Sequence, residues 1–301
     1  MLWTEKYRPK NLEQIVGQDK FVRDVSNWES MPNVILYGTA GTGKTAAAHV
    51  VANIILGDNK KANFFEINAS DDRKLETVRT TIKEVAISMK MGDVPHKIIL
   101  LDEMDGMTPD AQNALKRIME RYSHNCRFII TCNRRHKIIA PLQSRCANYH
   151  FTALSDSDIK SVLVSVLQNE GKETPNPVDF DTFISSLQGD MRRGLTELQA
   201  SVNSNTPIKI LIERTHEPYQ EIMSSVLNKD YNKALIQLHK LVYLSVDMKV
   251  VCQNLHDTVI NMNDLDSGQK FKYLRVIGEA EWRSNNMTPK ILSSWVIGQM
   301  I

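Results

Sequence analysis

Eight residues, Gly38-Thr39-Ala40-Gly41-Thr42-Gly43-Lys44-Thr45, restrict the fold of this chain more than any other stretch. They fit the pattern G-x-x-x-x-G-K-[ST], a loop whose glycines let successive backbone N–H groups close around a polyphosphate. Such a loop sits between a buried strand and a helix N-terminus, whose unpaired N–H groups and dipole favour an anion. Both flanks are present. Asn33-Val34-Ile35-Leu36-Tyr37 reads as a short buried strand, and 45–55 is rich in Ala and Val at helical spacing. Lys44 is then expected to bridge the β- and γ-phosphates, and the Thr45 hydroxyl to ligate Mg²⁺. The stretch predicts binding of a nucleoside triphosphate.

The rest of the chain must supply a sheet for that loop. At 301 residues it is long enough for two or three domains. Residues 1–152 alternate apolar strand-like runs with amphipathic helices, the pattern of a parallel sheet covered on both faces. Strands are predicted at Val34–Tyr37, Phe64–Asn68, Lys97–Asp102, Cys126–Cys132 and Asn148–Phe151. Beyond Phe151 everything reads helical. Ser155, with Asp158 three residues on, marks a helix start of near-capping-box type, and that helix is expected to run to about Glu170. Helices over about 179–188 and 190–202 complete a small domain over 153–206. Asn203-Ser204-Asn205-Thr206-Pro207 is expected to be a linker, and four or five amphipathic helices from about Glu217 to Ile301 form a third domain over 207–301.

Composition excludes several classes. Hydrophobic residues at 42% and charged residues at 24% are those of a soluble globular protein. No apolar run could span a bilayer, so no membrane partner is expected, and the N-terminus lacks the apolar stretch of a signal peptide. The cysteines, Cys126, Cys132, Cys146 and Cys252, form no C-x-x-C pair, which argues against a zinc site or disulfide framework and for a reducing, intracellular setting. A net charge of only +2 means that any contact with nucleic acid must use a local basic surface.

A second constellation points to hydrolysis. Ile98-Ile99-Leu100-Leu101-Asp102-Glu103 is an apolar strand ending in two carboxylates. A strand buried on both faces has reason to end so where its edge meets a ligand. Asp102 is expected to hold Mg²⁺ through water, and Glu103 to orient and activate the attacking water. Asn133, closing the run Thr131-Cys132-Asn133, could touch the γ-phosphate or that water, although Asn is also a common turn residue at a strand end.

The order of these elements resembles that of AAA+ ATPases, and the details resemble the small subunits of replication factor C, the sliding-clamp loader of archaea and eukaryotes. The resemblance is carried by Trp3-Thr4-Glu5-Lys6-Tyr7-Arg8-Pro9-Lys10, Ile15-Val16-Gly17-Gln18, Ser144-Arg145-Cys146 and Gly189-Asp190-Met191-Arg192-Arg193. It covers residues 1 to about 205 and weakens to helical character beyond. It implies an α/β AAA+ P-loop domain, a small helical lid and an all-helical collar that holds subunits together. It implies that Tyr7, Arg8, Val16 and Gly17 surround the adenine, that Arg192 contacts the γ-phosphate in cis, and that Arg145 reaches the ATP of a neighbouring subunit in trans. Arg193 is expected to be structural, and Cys146 a small packing residue.

The resemblance also implies partners: a pentameric assembly with a distinct larger subunit, a sliding clamp, and primer–template DNA. Arg73, Lys74, Arg79, Lys83 and Lys90 on one helix, and Lys116, Arg117 and Arg121 on another, would track the duplex backbone without reading sequence. Glu76, Glu84 and Glu120 are interleaved with them, and a mixed-charge solvated face is the alternative. Met89 and Met91, at the end of the first of these helices, would lean on the clamp, with burial in the core as the alternative. Departures from the family pattern are Met104 in the Asp-Glu-Ala-Asp box, Lys74 where glycine is common, and Gly194 inside the second-sensor helix. The expected activity is ATP hydrolysis stimulated by DNA and clamp. The competing readings are a non-hydrolysing subunit of the same assembly and a branch-migration-type motor; the four-cysteine zinc insertion of the bacterial loader ATPase is absent. The expected location is the cytoplasm or nucleoid for an archaeal or prokaryotic-virus source, and the nucleus for a eukaryotic one.

Overall fold

A computed structural model describes residues 1–69, 75–204, 208–243, 246–262 and 264–301, with backbone alone at 75–79 and 208–217. The chain divides into two compact units, 1–206 and 207–301.

The first unit opens with α1 (Trp3–Lys6) and α2 (Asp19–Ser26). Strands β1 (Val34–Tyr37), β2 (Phe64–Asn68), β3 (Lys97–Asp102), β4 (Cys126–Cys132) and β5 (Ala147–His150) follow. They are interleaved with α3 (Lys44–Leu56), α4 (Lys60–Asn63), α5 (Leu75–Ile87), α6 (Pro109–Arg121) and α7 (Ala140–Gln143). The strands form one sheet in the order β2-β3-β4-β1-β5, and every pairing is parallel. The register sets Tyr37 beside Cys132 and Asn68 beside Asp102, so β1, β3 and β4 end together at one edge. Open α/β sheets bind ligands outside that carboxyl edge.

Alternation along β3 shows why its run is apolar throughout. Ile98 and Leu100 pack with Phe21, Val25, Ala48 and Val51 from α2 and α3, whereas Ile99 and Leu101 pack with Ile82, Ala86, Leu115 and Met119 from α5 and α6. Successive strand residues face opposite sides, and helices cover both, so neither face tolerates a polar residue. The exception is Lys97 at the strand start, fully buried, with its Nζ donating to the Ser88 hydroxyl at 2.7 Å and to the carbonyls of Val85 and Ser88. Burial pushes its pKa down. Asn125 Nδ2 adds bonds to the carbonyls of Ala86 at 2.6 Å and Ser88 at 3.0 Å. A cation and an amide thus satisfy the carbonyls left open where α5 ends.

That end comes at Ile87, earlier than the sequence suggested, so Met89 and Met91 stand in the following loop and not on the helix. They are 88% and 60% exposed, which excludes a core role. Lys90 likewise leaves the helix face and donates to the Pro95 carbonyl at 3.0 Å.

After β5 come α8 (Asp156–Asn169), α9 (Pro177–Ser186) and α10 (Met191–Ser204). The Ser155 hydroxyl accepts the Asp158 N–H at 3.1 Å, capping α8. Gly194 sits where α10 passes close to its neighbours: a Cβ there would lie 2.8 Å from Leu187 Cδ1. The residues expected to form a linker begin inside a helix, since α10 runs through Ser204; 205–207 lie outside the described residues.

The second unit consists of α11 (Ile208–Leu227), α12 (Tyr231–Tyr243), α13 (Met248–Asn261), α14 (Ser267–Arg283) and α15 (Pro289–Met300). α11 begins nine residues before the predicted start at Glu217 and contains Pro218. Proline inside a helix removes a backbone donor. The helix persists because Tyr219, Ile222, Met223 and Val226, at helical spacing, pack into a core with Leu238, Val251, Leu255, Ile277 and Val296.

Candidate nucleotide-binding site

The phosphate loop leaves β1 at Gly38, whose φ of 150° and close approach to β5 exclude a side chain: a Cβ would lie 2.0 Å from the Phe151 carbonyl oxygen. At Gly41, with φ of 76°, a Cβ would meet Asp190 Oδ1 at 1.8 Å. Asp190 also accepts the Arg193 N–H at 3.0 Å at the start of α10, so that helix start is seated against the loop by a carboxylate. Lys44 opens α3 and is only 8% exposed. Its ammonium donates to the carbonyls of Gly38 at 2.8 Å and Thr39 at 2.7 Å, and to Asn133 Oδ1 at 3.0 Å. Desolvation pulls its pKa down, against the opposing pull of nearby acidic groups such as Asp102 and Asp105. The Thr42 hydroxyl closes the loop onto the Thr39 carbonyl at 2.9 Å.

Asp102 meets this loop from the end of β3. Thr45 Oγ1 donates to it at 3.0 Å and 3.3 Å, and Thr131, from the neighbouring β4, donates a hydrogen bond to the same carboxylate. The Thr131 oxygen in turn accepts the Glu103 N–H at 3.1 Å, so one hydroxyl ties both acidic positions to β4. Glu103 has φ 54° and ψ 42°, a left-handed conformation that costs a non-glycine residue on the order of 1–3 kcal/mol. The strand therefore turns sharply between its two carboxylates. The Asn133 N–H is held by Asp105 Oδ1 at 3.3 Å. The hydroxyl of Thr45 and the carboxylate of Asp102 are hard oxygen donors already within hydrogen-bonding reach of each other, a set that fits Mg²⁺.

These groups line a cavity of about 550 Å³. Its far end is apolar, with Ile15, Val16, Leu154, Val162 and Leu195, a lining suited to a flat base. Tyr7 and Arg8 also line it. The Tyr7 hydroxyl donates to Glu170 Oε1 at 2.7 Å, beside Lys6 Nζ at 2.6 Å, and Arg8 Nη2 pairs with Glu5 at 2.7 Å. Hydrogen bonds from Lys6 and Tyr7 hold the Glu170 carboxyl below its ordinary pKa.

Of the residues singled out in sequence, Ala40, Gly41, Thr42, Gly43, Lys44, Thr45, Asp102, Glu103, Asn133 and Arg192 line the cavity. Gly38 and Thr39 do not, and act through the carbonyls that hold Lys44. Gly17 does not either: it packs where a Cβ would lie 2.7 Å from Leu154 Cδ2. Arg193 is tied within its own segment, to Glu197 at 2.7 Å and to the Ser186 carbonyl at 3.3 Å. Sequence reasoning passed over Thr131, Asp190, Ile15, Leu154, Val162 and Leu195. Ile15 and Asp190 lie inside motifs that carry the family resemblance, and Thr131 had a local signal, a hydroxyl among apolar residues at a strand end; Leu154, Val162 and Leu195 had none.

Arg145 is not part of this cavity. Its side chain pairs with Glu120 of α6, on the surface. The adjacent Cys146 packs against the core, and burial pushes its thiol up to about 12. Lys83 and Arg117 line one open groove of about 960 Å³ between α5 and α6, together with Glu84 and Asp110. Arg73 and Lys74 lie outside the described residues, as does the side chain of Arg79.

The profile of the ATPase family associated with various cellular activities (AAA) matches residues 34–153, and that of the replication factor C C-terminal domain matches residues 216–289. Replication factor C small subunit of Methanococcus vannielii is 34% identical over 93% of this chain and 92% of its own length. The protein of the same name from Archaeoglobus fulgidus is 36% identical over 94% of this chain and 91% of its own. Among solved structures, the Thermotoga maritima RuvB Holliday junction branch migration motor superposes with a TM-score of 0.57 at 16% identity, covering 73% of this chain and 79% of that one. At that identity the likeness concerns the fold alone. Matches at both ends of the chain, and relatives aligned over nearly all of it, agree: this chain belongs to the replication factor C small-subunit family.

Proposed function

We propose that this chain is an ATPase subunit of a sliding-clamp loader, which opens a clamp and loads it at primer–template junctions during DNA replication. The observation that carries the reading is the convergence of Lys44, Thr45, Asp102, Glu103 and Asn133 on one cavity, in a chain whose relatives are replication factor C small subunits. Lys44 leaves its loop carbonyls for the phosphate oxygens. Glu103 takes a proton from water as the water oxygen bonds to the γ-phosphorus and the bond to the bridging oxygen breaks, giving ADP and phosphate. Thr45 and Asp102 would hold Mg²⁺, which neutralises phosphate charge when bound. Arg192 approaches the γ-phosphate from α10, so the lid responds to the nucleotide.

Arg145 acts on the nucleotide of a neighbouring subunit, a role supported by its absence from the lining of its own cavity. Lys83 and Arg117 follow the DNA backbone; Met89 and Met91 meet the clamp, where adaptable thioether side chains suit an apolar contact. The second unit joins subunits, including a distinct larger one, into a pentameric collar. The motor reading has only a likeness of fold behind it.

The test is ATP turnover of the assembled loader with clamp and primed DNA, for wild type and Glu103→Gln. Clamp and primed DNA should stimulate the wild type, and Glu103→Gln should lose roughly 10²–10⁴-fold in turnover while still binding ATP. Turnover indifferent to both clamp and DNA would sink the reading.

A further inference from the structure

Arg145 is an exposed side chain, and a flexible arginine on a surface makes a poor tool for a reaction that depends on position. The structure supplies what holds it. Its backbone is fixed first: the Arg145 N–H donates to the Leu142 carbonyl at 3.1 Å, Leu142 is buried in the core, and Cys146 packs beside it. Asn148 Nδ2 closes the same turn onto the carbonyls of Gln143 at 2.8 Å and Cys146 at 2.7 Å.

The guanidinium is then held along one side. Nε and Nη2 both donate to Glu120 Oε1, at 2.7 Å and 2.6 Å, and Nη1 donates to the Pro141 carbonyl at 2.8 Å. A guanidinium carries five N–H donors in a rigid plane. Glu120 takes the Nε–Nη2 edge. Among the described residues these bonds use three of the five donors and leave one N–H on each terminal nitrogen, two donors of the kind that can meet oxygens of a phosphate. A carboxylate that gripped the terminal edge would have consumed that pair.

Glu120 lies in the last turn of α6, three residues from Arg117, which lines the groove between α5 and α6. We propose that Glu120 is a positioning residue for Arg145: it holds the side edge of the guanidinium, aims the terminal edge at the neighbouring subunit's phosphate, and ties that aim to α6. This inference rests on the reading that Arg145 acts in trans. Glu120 touches no substrate, and it acts through the arginine alone. The pair adds a side-chain link from α6 to the guanidinium, beside the hydrogen bonds by which Gln112 of α6 holds the Lys137 carbonyl and the Ile139 N–H.

The experiment compares ATP turnover of the assembled loader, with clamp and primed DNA, for Arg145→Ala, Glu120→Ala, Glu120→Gln and the double variant Glu120→Ala/Arg145→Ala. Arg145→Ala should lower kcat on the order of 10³-fold, the scale of a lost arginine finger. Glu120→Ala should lower kcat about tenfold with KM for ATP unchanged, as expected of a misaimed group. Glu120→Gln keeps the accepting oxygen and should recover most of the rate. The double variant should be no slower than Arg145→Ala, because residues that act as one unit are not additive. If Arg145→Ala is slow but Glu120→Ala turns over like wild type, or if Glu120→Ala slows the Arg145→Ala background as much as it slows wild type, the inference is overturned and the reading of Arg145 stands. A fully active Arg145→Ala overturns both.

Discussion

Lys44 and Arg145 are held in opposite ways, and the contrast divides the molecule. Lys44 is nearly inaccessible and surrounded by oxygens of its own chain, because a buried ammonium must be hydrogen-bonded or lose its charge. Arg145 stands on the surface against an equally exposed carboxylate, a pairing that contributes ~1 kcal/mol or less. The first cation belongs to a cradle that one chain completes by itself. The second is held by a contact too weak to matter for stability. On the proposed reading, one half of a catalytic centre is built for retention and the other for donation.

Breaking the cradle should act on nucleotide binding itself. Lys44→Ala removes the buried ammonium at the loop and should weaken ATP binding roughly 10- to 100-fold in a titration, the value of a charge-assisted hydrogen bond. The same chain keeps its Glu120–Arg145 edge, so mixing it with an Arg145→Ala chain should restore turnover; failure to do so would break the comparison. A smaller effect sharpens it. Thr131→Val removes the hydroxyl that ties Asp102 and the Glu103 backbone to β4, and should slow turnover about tenfold while ATP affinity stays within about threefold. The last test concerns the packing under Arg145, where no change in turnover is read. Burial raises the Cys146 thiol to about 12, so at pH 8 it holds roughly a thousandth of the thiolate of an ordinary cysteine with a pKa of 9.0. Iodoacetamide should label it at least ~100-fold more slowly in the native than in the unfolded protein, with the rate rising about tenfold per pH unit. Rapid native labelling at pH 8 would show that the turn carrying Arg145 opens.

Much of the α/β unit was legible because its signals are local. Four of the five predicted strands match the observed ends, and β5 is displaced by one residue at both ends, running from Ala147, which pairs with Val34, to His150. An apolar run bounded by turns needs no knowledge of its neighbours. Helix ends were less legible. α5 stops at Ile87 because Lys97 and Asn125, distant in sequence, occupy its last carbonyls, and that placed Met89 and Met91 in a loop. α11 begins at Ile208 although Pro218 reads as a breaker, because the apolar residues after the proline have a core to enter.

In the site, the residues expected to touch phosphate announce themselves through spacing within one loop or one strand end. Those that arrange them do not. Thr131 reaches Asp102 only because β4 lies beside β3 in parallel register; Asp190 reaches Gly41, and Glu170 reaches Tyr7, only once the helices after β5 fold back.

The sequence by itself determined the phosphate loop, the paired carboxylates and the parallel sheet, since each depends on a few neighbouring residues whose backbone chemistry permits little else. The tertiary structure alone decided which side chains hold these groups, and that Arg145 leans on Glu120 rather than on its own cavity. Contacts between residues far apart in the chain depend on how closely packed elements approach one another, and no local pattern encodes that distance.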